Sequence, residues 1–166
     1  MEKRNPSIRA ACAADLEEIV KIYDEARRFM RANGNLTQWP DDYPGPGSAR
    51  EDLEQGVLYV AENEGVIVGT FVMMAGPDKT YACIENGDWR CDAPYGVLHR
   101  VASRGGGVLG AALDFARARF GHIRMDTHRD NAPMRHLLEK HGFSHRGTIY
   151  VENGTPRMAF DLLEEG

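Results

Sequence analysis

The chain has 166 residues, a net charge of −5, 42% hydrophobic residues and 27% charged residues. Residues 1–166 are long enough for one domain with a full core and too short for two, and the composition excludes long disorder. The acidic balance argues against a nucleic-acid partner, which needs a concentrated Lys/Arg face, and no apolar run approaches the ~18 residues that span a bilayer.

No signal peptide is expected, because the opening MEKRNPSIRAACAADLEE has no apolar segment behind its charged start. Cys12, Cys83 and Cys91 are odd in number and match no metal pair, which points to a reduced, cytoplasmic home. Residues 7–11 read as a short strand. A helix follows, with Asp15 and Glu18 as a capping pair and Leu16, Ile19, Val20, Tyr23, Ala26 and Met30 at helical spacing. The Pro- and Gly-rich LTQWPDDYPGPGS must be a loop. Ser48 and Glu51 then form an S-x-x-E start for a second, short helix that Gly56 ends.

Residues 57–76 read as two β-rich runs turning at Asn63 to Gly65, an antiparallel hairpin. The polar stretch KTYACIENGDWRCDAPY has no clear assignment. YGVLHRVAS is a strand feeding a glycine loop, behind which Leu109, Leu113, Ala116 and Phe120 form one helical stripe. HIRMDTH is another strand. Asp130 or Asn131 caps the next helix, with Pro133 in its first turn and Gly142 at its end. Two strands around Asn153-Gly154 close the chain. The order β-α-α-β-β-β-α-β-α-β-β predicts a mixed α/β layer.

The glycine loop carries the chemistry. Strand, glycine loop and helix together aim backbone N–H groups and a helix N-terminus at phosphate oxygens. Gly105, Gly107 and Gly110 spell G-x-G-x-x-G, the dinucleotide fingerprint, and Asp126 stands where a ribose contact would follow. Arg104, Gly105 and Gly107 equally spell R-G-x-G, the start of another phosphate cradle. Against a Rossmann-type NAD-binding oxidoreductase stand the short remaining chain, His99 and Arg100 in the strand before the loop, and the hairpins at both ends. His136, His141 and His145 cluster in HLLEKHGFSH, but without a Cys pair or H-E-x-x-H no metal is expected.

LHRVASRGGGV followed by a helix, and then DTHRDNAPMRHLLEKHGF, resembles the acetyl-CoA-binding core of the GNAT superfamily of N-acetyltransferases. IRAACAADLEEIVKIY and YVAENEGVIVGTFVM are similar to the family's first strand and helix and its second and third strands. The resemblance implies a mixed α/β (α+β) fold, with a mostly antiparallel, twisted sheet flanked by helices on both faces and a central β-loop-helix unit. It implies acetyl-CoA as co-substrate, with Val101, Ala102 and Ser103 bonding the pantetheine arm through their backbones. Arg104, Gly105, Gly106, Gly107 and Val108 would surround the pyrophosphate, Gly110 would lie in the first helical turn, and Asn131 and Met134 would border the pantetheine. Arg104 follows Ser103 directly, Leu109 stands where Gly or Ala is usual, and Leu138 stands where members often place a tyrosine acid.

The implied reaction is direct attack of an amine on the thioester, which needs a base, an oxyanion donor near Val101 and a proton for the leaving thiolate. His99 is the first choice of base: strand alternation puts it on the face of Val101, and an imidazole suits proton removal at neutral pH. It could instead be a histidine satisfied by a carbonyl. Asp126 is the second choice, unless it pairs with Arg100, and Tyr150 is a substitute acid. Trp39, Tyr43 and Asp41 would form the acceptor site, with flat walls and a charge that attracts an amine. The expected partner is a small-molecule amine, with a peptide as the wider alternative, and a homodimer would be in keeping with the fold. A non-catalytic acyl-CoA-binding sensor is the other reading.

Overall fold

The computed structural model describes residues 5–163. Its centre is one seven-stranded sheet. Strand β1 (Ser7–Ala10) precedes helices α1 (Leu16–Ala32) and α2 (Pro46–Glu54). The hairpin β2 (Leu58–Asn63) and β3 (Val66–Ala75) follows, then β4 (Gly96–Ser103), α3 (Val108–Arg117), β5 (His122–Thr127), α4 (Ala132–Lys140), and the hairpin β6 (Ser144–Tyr150) and β7 (Pro156–Leu163). The spatial order is β1-β2-β3-β4-β5-β7-β6. All neighbours are antiparallel except β4 and β5. Among the described residues no helix is long and apolar enough to cross a membrane.

Alternation along the strands sends apolar side chains to both faces. On one face Phe71, Met73 and Leu98 pack under α3 and α4 with Leu113, Ala116 and Leu138. On the other, Val60 and Val72 meet Ile19, Ile22, Tyr23 and Ala26 of α1, the stripe that the helical spacing predicted. The same face continues past α1 to Val97, Ile149 and Ala159, where among the described residues no α-helix packs. There the segment left unassigned in the sequence lies across the strands and buries Tyr81 to 1% exposure.

This strap, residues 76–95, has one 3-10 turn at Lys79–Tyr81 and one backbone bridge, Glu85 to Thr148 of β6, and is otherwise held by side chains. The buried carboxylate of Asp161 on β7 accepts from the Arg90 guanidinium at 2.6 Å and from the Arg90 amide at 3.0 Å. Arg124 of β5 lies between the rings of Trp89 and Tyr95, 4.3 and 3.9 Å from their centroids, a desolvated cation–π arrangement. Tyr95 in turn accepts the Asp78 N–H at 2.8 Å.

Two helix starts differ from expectation. Asp15 does not cap α1; its carboxylate accepts from the Cys12 amide at 2.8 Å and from Arg9, an ion pair outweighing a cap. Helix α2 begins at Pro46, ahead of Ser48, whose hydroxyl reaches back to the Gly45 N–H at 2.9 Å. Pro46 suits this first turn because it has no N–H to leave unpaired.

Strands β4 and β5 are registered only at Gly96–Ile123 and Val97–Arg124, beyond which they separate. In β4 the pairing with β3 jumps from His99–Val72 to Ala102–Thr70, so that Arg100 and Val101 oppose Phe71 alone. Arg100 has φ of +50°, in the left-handed region. An extra residue of this kind is a β-bulge, which breaks the ladder and re-aims side chains.

Candidate active site

The parting of β4 and β5 and the bulge open a cavity of about 550 Å³. Leu98 to Val101 line one side and Met125 to Thr127 the other, with Trp39, Tyr43, Asp78, Asn131, Glu152 and Arg157 around the rim. A second space of about 460 Å³ runs between the glycine loop and α4, lined by Ser103, Gly105 to Gly110, Lys140 and His141. Val101 and Met134 line both. The two spaces therefore meet at the bulge.

The bulge corrects the expected orientation of His99. Leu98 and Val101 pack on the α3/α4 face, whereas Ala102 packs against α1. His99 lies beside the Tyr81 ring at 6.0 Å, and Arg100 bonds Asp52 of α2 at 2.9 and 3.1 Å. Consecutive residues 99 and 100 thus share one face, and His99 lies opposite Val101 in the sheet although both border the cavity. Strict alternation failed because one residue of β4 has no partner.

His99 is not satisfied by a carbonyl. Its Nε2 lies 2.9 Å from Asp78 Oδ2, with the two side chains 23% and 16% exposed. The bond to His99, followed by those to Thr80, holds the Asp78 carboxyl down at about 2. Asp78 is also fixed by the amide and hydroxyl of Thr80, at 2.9 and 2.7 Å. With Nε2–H given to Asp78, the Nδ1 lone pair remains for a substrate proton.

Asp126 does not pair with Arg100. Its carboxylate accepts the Tyr81 hydroxyl at 2.6 Å, and burial above all holds the Tyr81 phenol well above its usual range. Gln38 joins the loop before α2 to the β5–α4 corner: its carboxamide oxygen accepts from Asn35, from the His128 amide at 3.3 Å and from Asn131 at 3.2 Å. Asn131, and not Asp130, caps α4 by accepting the Met134 N–H at 3.2 Å. Its side chain is thereby committed on both sides.

Other expected residues fall elsewhere. Tyr150 lies outside both spaces, 45% exposed, donating to Glu85 at 3.0 Å, because its strand is separated from β4 by β5 and β7. Its hydroxyl is committed to Glu85 rather than turned into either space. Asp41 also lies outside the cavity, ion-paired with Arg31 at 2.6 Å. Trp39 and Tyr43 do line it; Trp39 is 7% exposed with its ring edge-on to Tyr23, and the Tyr43 hydroxyl accepts from Arg100 at 2.9 Å. Trp89 is a strap residue, bonded through its indole N–H to the Tyr81 carbonyl at 2.9 Å.

Within the glycine loop, Gly107 precedes α3 with φ of +90°, a conformation glycine adopts without steric cost. The first-turn amides of α3 have no intrahelical acceptors. A methyl group added at Gly105 or Gly106 would meet nothing within 4 Å, so the loop faces open space. Those residues fit an anionic group lying against the loop. Arg104 does not join them: its amide donates to the Val68 carbonyl at 2.8 Å, and its guanidinium bonds Glu18 and Glu25 of α1. Ala102 is buried on the α1 face and lines neither space. No cluster suited to a metal occurs among the described residues.

Sequence reasoning missed Asp78, Thr80 and Tyr81 on the strap, Gln38, and Arg157 on β7. The only local signal was Asp78-x-Thr80, a pattern of a side chain that closes its own turn.

The family model described as "Acetyltransferase (GNAT) family" matches residues 16–143. An acetyltransferase of the GNAT family from Streptococcus agalactiae has a similar structure, with a TM-score of 0.87 and 27% identity over 96% of each chain. A putative acetyltransferase from Staphylococcus aureus gives a TM-score of 0.66 and 25% identity over 94% of this chain and 97% of the other. The NatC complex bound to Gag peptide and CoA shares the fold, with a TM-score of 0.60, 16% identity, and coverage of 97% of this chain and 99% of the other. No curated protein matches in sequence. The chain belongs to the GNAT acetyltransferase family, whose members use acetyl-CoA, and is an acyltransferase.

Proposed function

For this member of the GNAT family, we propose N-acetylation of the primary amine of a small molecule held in the 550 Å³ cavity, with His99 as base and Asp78 as its positioning residue. The observation that carries the reading is the 2.9 Å His99–Asp78 contact at the wall of a cavity that opens, through the bulge, onto the groove beside the glycine loop. The volume is typical of small-molecule sites.

Acetyl-CoA supplies the activated acetyl group. The amides of Gly105 to Val108 at the α3 N-terminus bind its phosphates, and Ser103, Val101 and Met134 border the arm that leads inward. An acceptor arriving as ammonium gives one proton to Nδ1 of His99, whose ring Asp78 holds in place through Nε2. The amine nitrogen then bonds the carbonyl carbon. A backbone amide at the bulge, near Val101, meets the charge that develops on the carbonyl oxygen. The C–S bond breaks, the amine's second proton passes to solvent, and the thiolate takes a proton from water, since a thiol of pKa near ~8.5 leaves tolerably. Leu138, fully buried, offers no proton.

The test is release of CoA thiol across an amine panel, with acetyl-CoA affinity measured separately by calorimetry. His99→Ala is expected to lower kcat by roughly 10²- to 10⁴-fold while leaving the affinity for acetyl-CoA within about twofold, as for a residue outside the cofactor groove. Unchanged turnover removes His99 from the reaction.

A further inference from the structure

Arg157 lines the cavity from β7 and is 8% exposed. A guanidinium has five N–H donors. Among the described residues this one makes a single hydrogen bond, to the neighbouring Pro156 carbonyl at 3.2 Å, and no ion pair. Burying a charge with so few partners is costly unless something completes the site. The other basic groups there are engaged: Arg100 with Asp52 and Tyr43, and His99 with Asp78.

The placement of Arg157 is specific. Asp126 pairs across the strands with Ala159, and Arg157 lies two residues further along β7, hence on the same face as Asp126. That is also the face of His99. Asp126 makes no direct ion pair with Arg157, because its carboxylate lies beyond ion-pair distance and accepts from Tyr81; its charge acts on the guanidinium only from a distance and is outweighed by burial. His128, the other titratable neighbour, is held toward its neutral form by burial and by Arg157 itself. Glu152, on the turn beside Arg157, also lines the cavity and makes no ion pair among the described residues.

From this geometry we infer that Arg157 is the anchor for a carboxylate carried by the acceptor, so that the substrate class is an amino acid or a related amine with a free carboxylate. The planar fork of a guanidinium matches a carboxylate through two parallel hydrogen bonds. With the carboxylate held at Arg157, the amine of the same molecule extends over the face of Asp126 toward Nδ1 of His99. This rests on the acetyl-transfer reading above and names the acceptor for it.

Rates of CoA release are compared for matched pairs: each free α-amino acid against its α-carboxamide, and β-alanine and γ-aminobutyrate against their amides. Wild type is expected to favour at least one carboxylate member by about tenfold or more in kcat/KM, and Arg157→Gln to bring that ratio near unity. Equal rates within every pair, or a preference that survives in Arg157→Gln, overturns the inference. Arg157→Lys, which keeps charge but not the fork, serves if the Gln variant does not fold, with the preference expected to fall several-fold. If no amine is acetylated, the transfer reading fails and the anchor is judged alone by thermal shift with CoA at saturation. Stabilisation by the carboxylate members only, lost in the variant, then supports the anchor; indifference to the carboxylate overturns it.

Discussion

The groove beside α3 and the cavity over His99 are adjacent but built of different materials. The groove is made of backbone: glycines, the unpaired amides of a helix start and open space where side chains would stand. The cavity is made of side chains from distant segments, each held by another, as His99 is by Asp78, Asp126 by Tyr81 and Asn131 by Gln38. A backbone cradle recognises what every acetyl-CoA has in common and tolerates change in side chains. A cavity of interlocked side chains selects one acceptor, and a single substitution there disturbs several partners.

The largest effect that would sharpen this contrast, beyond loss of His99, is expected at its partner. Asp78→Asn should lower kcat about tenfold or more, because the imidazole loses the carboxylate that fixes its orientation through Nε2. Unchanged kcat would separate Asp78 from the chemistry. In the groove, Gly107→Ala forces a Cβ into left-handed backbone and should cost about 1–2 kcal/mol in stability by chemical denaturation. Gly106→Ala, with open space around it, should stay within about 0.5 kcal/mol; equal costs would mean the loop is not held open as described.

A smaller effect concerns acid stability. Asp15, bound chiefly by Arg9, and Asp78, bound chiefly by His99, are both lowered from 3.8 to about 2. Their contribution is present above the unfolded value and lost as pH falls from about 4 through about 2. Asp15→Asn should flatten the melting temperature over that window without touching turnover. The smallest effect is expected at Arg104, whose side chain is bound to exposed glutamates of α1. Arg104→Ala should change the acetyl-CoA Kd by no more than about twofold, the scale of a screened surface pair. A large loss would place Arg104 in the cradle, as its motif suggests.

The same division explains what the sequence could convey. Helices α1 and α3, both hairpins and the glycine loop announce themselves through local spacing, since their apolar stripes and turn residues lie within a few positions of each other. The start of α2 was misplaced only because Ser48 caps from inside the helix. Residues 76–95 have no period to read, because Tyr81, Trp89, Arg90 and Tyr95 find their partners on β5 and β7, dozens of positions away. His99 stood out in the sequence as a candidate base. Asp78 did not, as nothing local ties it to a strand 21 positions further on.

The unpaired residue in β4 has a consequence for the whole strand. Up to Leu98, even-numbered residues look toward α3 and α4; after the bulge, Val101 does. The strand changes parity in mid-course, so its apolar side chains on that face step by three rather than two. One uninterrupted segment can therefore turn its early residues to the cavity and its late residues to the groove beside the glycine loop. Deleting a single residue between 99 and 101 would not merely shorten β4: it would restore strict alternation and turn one of those two surfaces inside out.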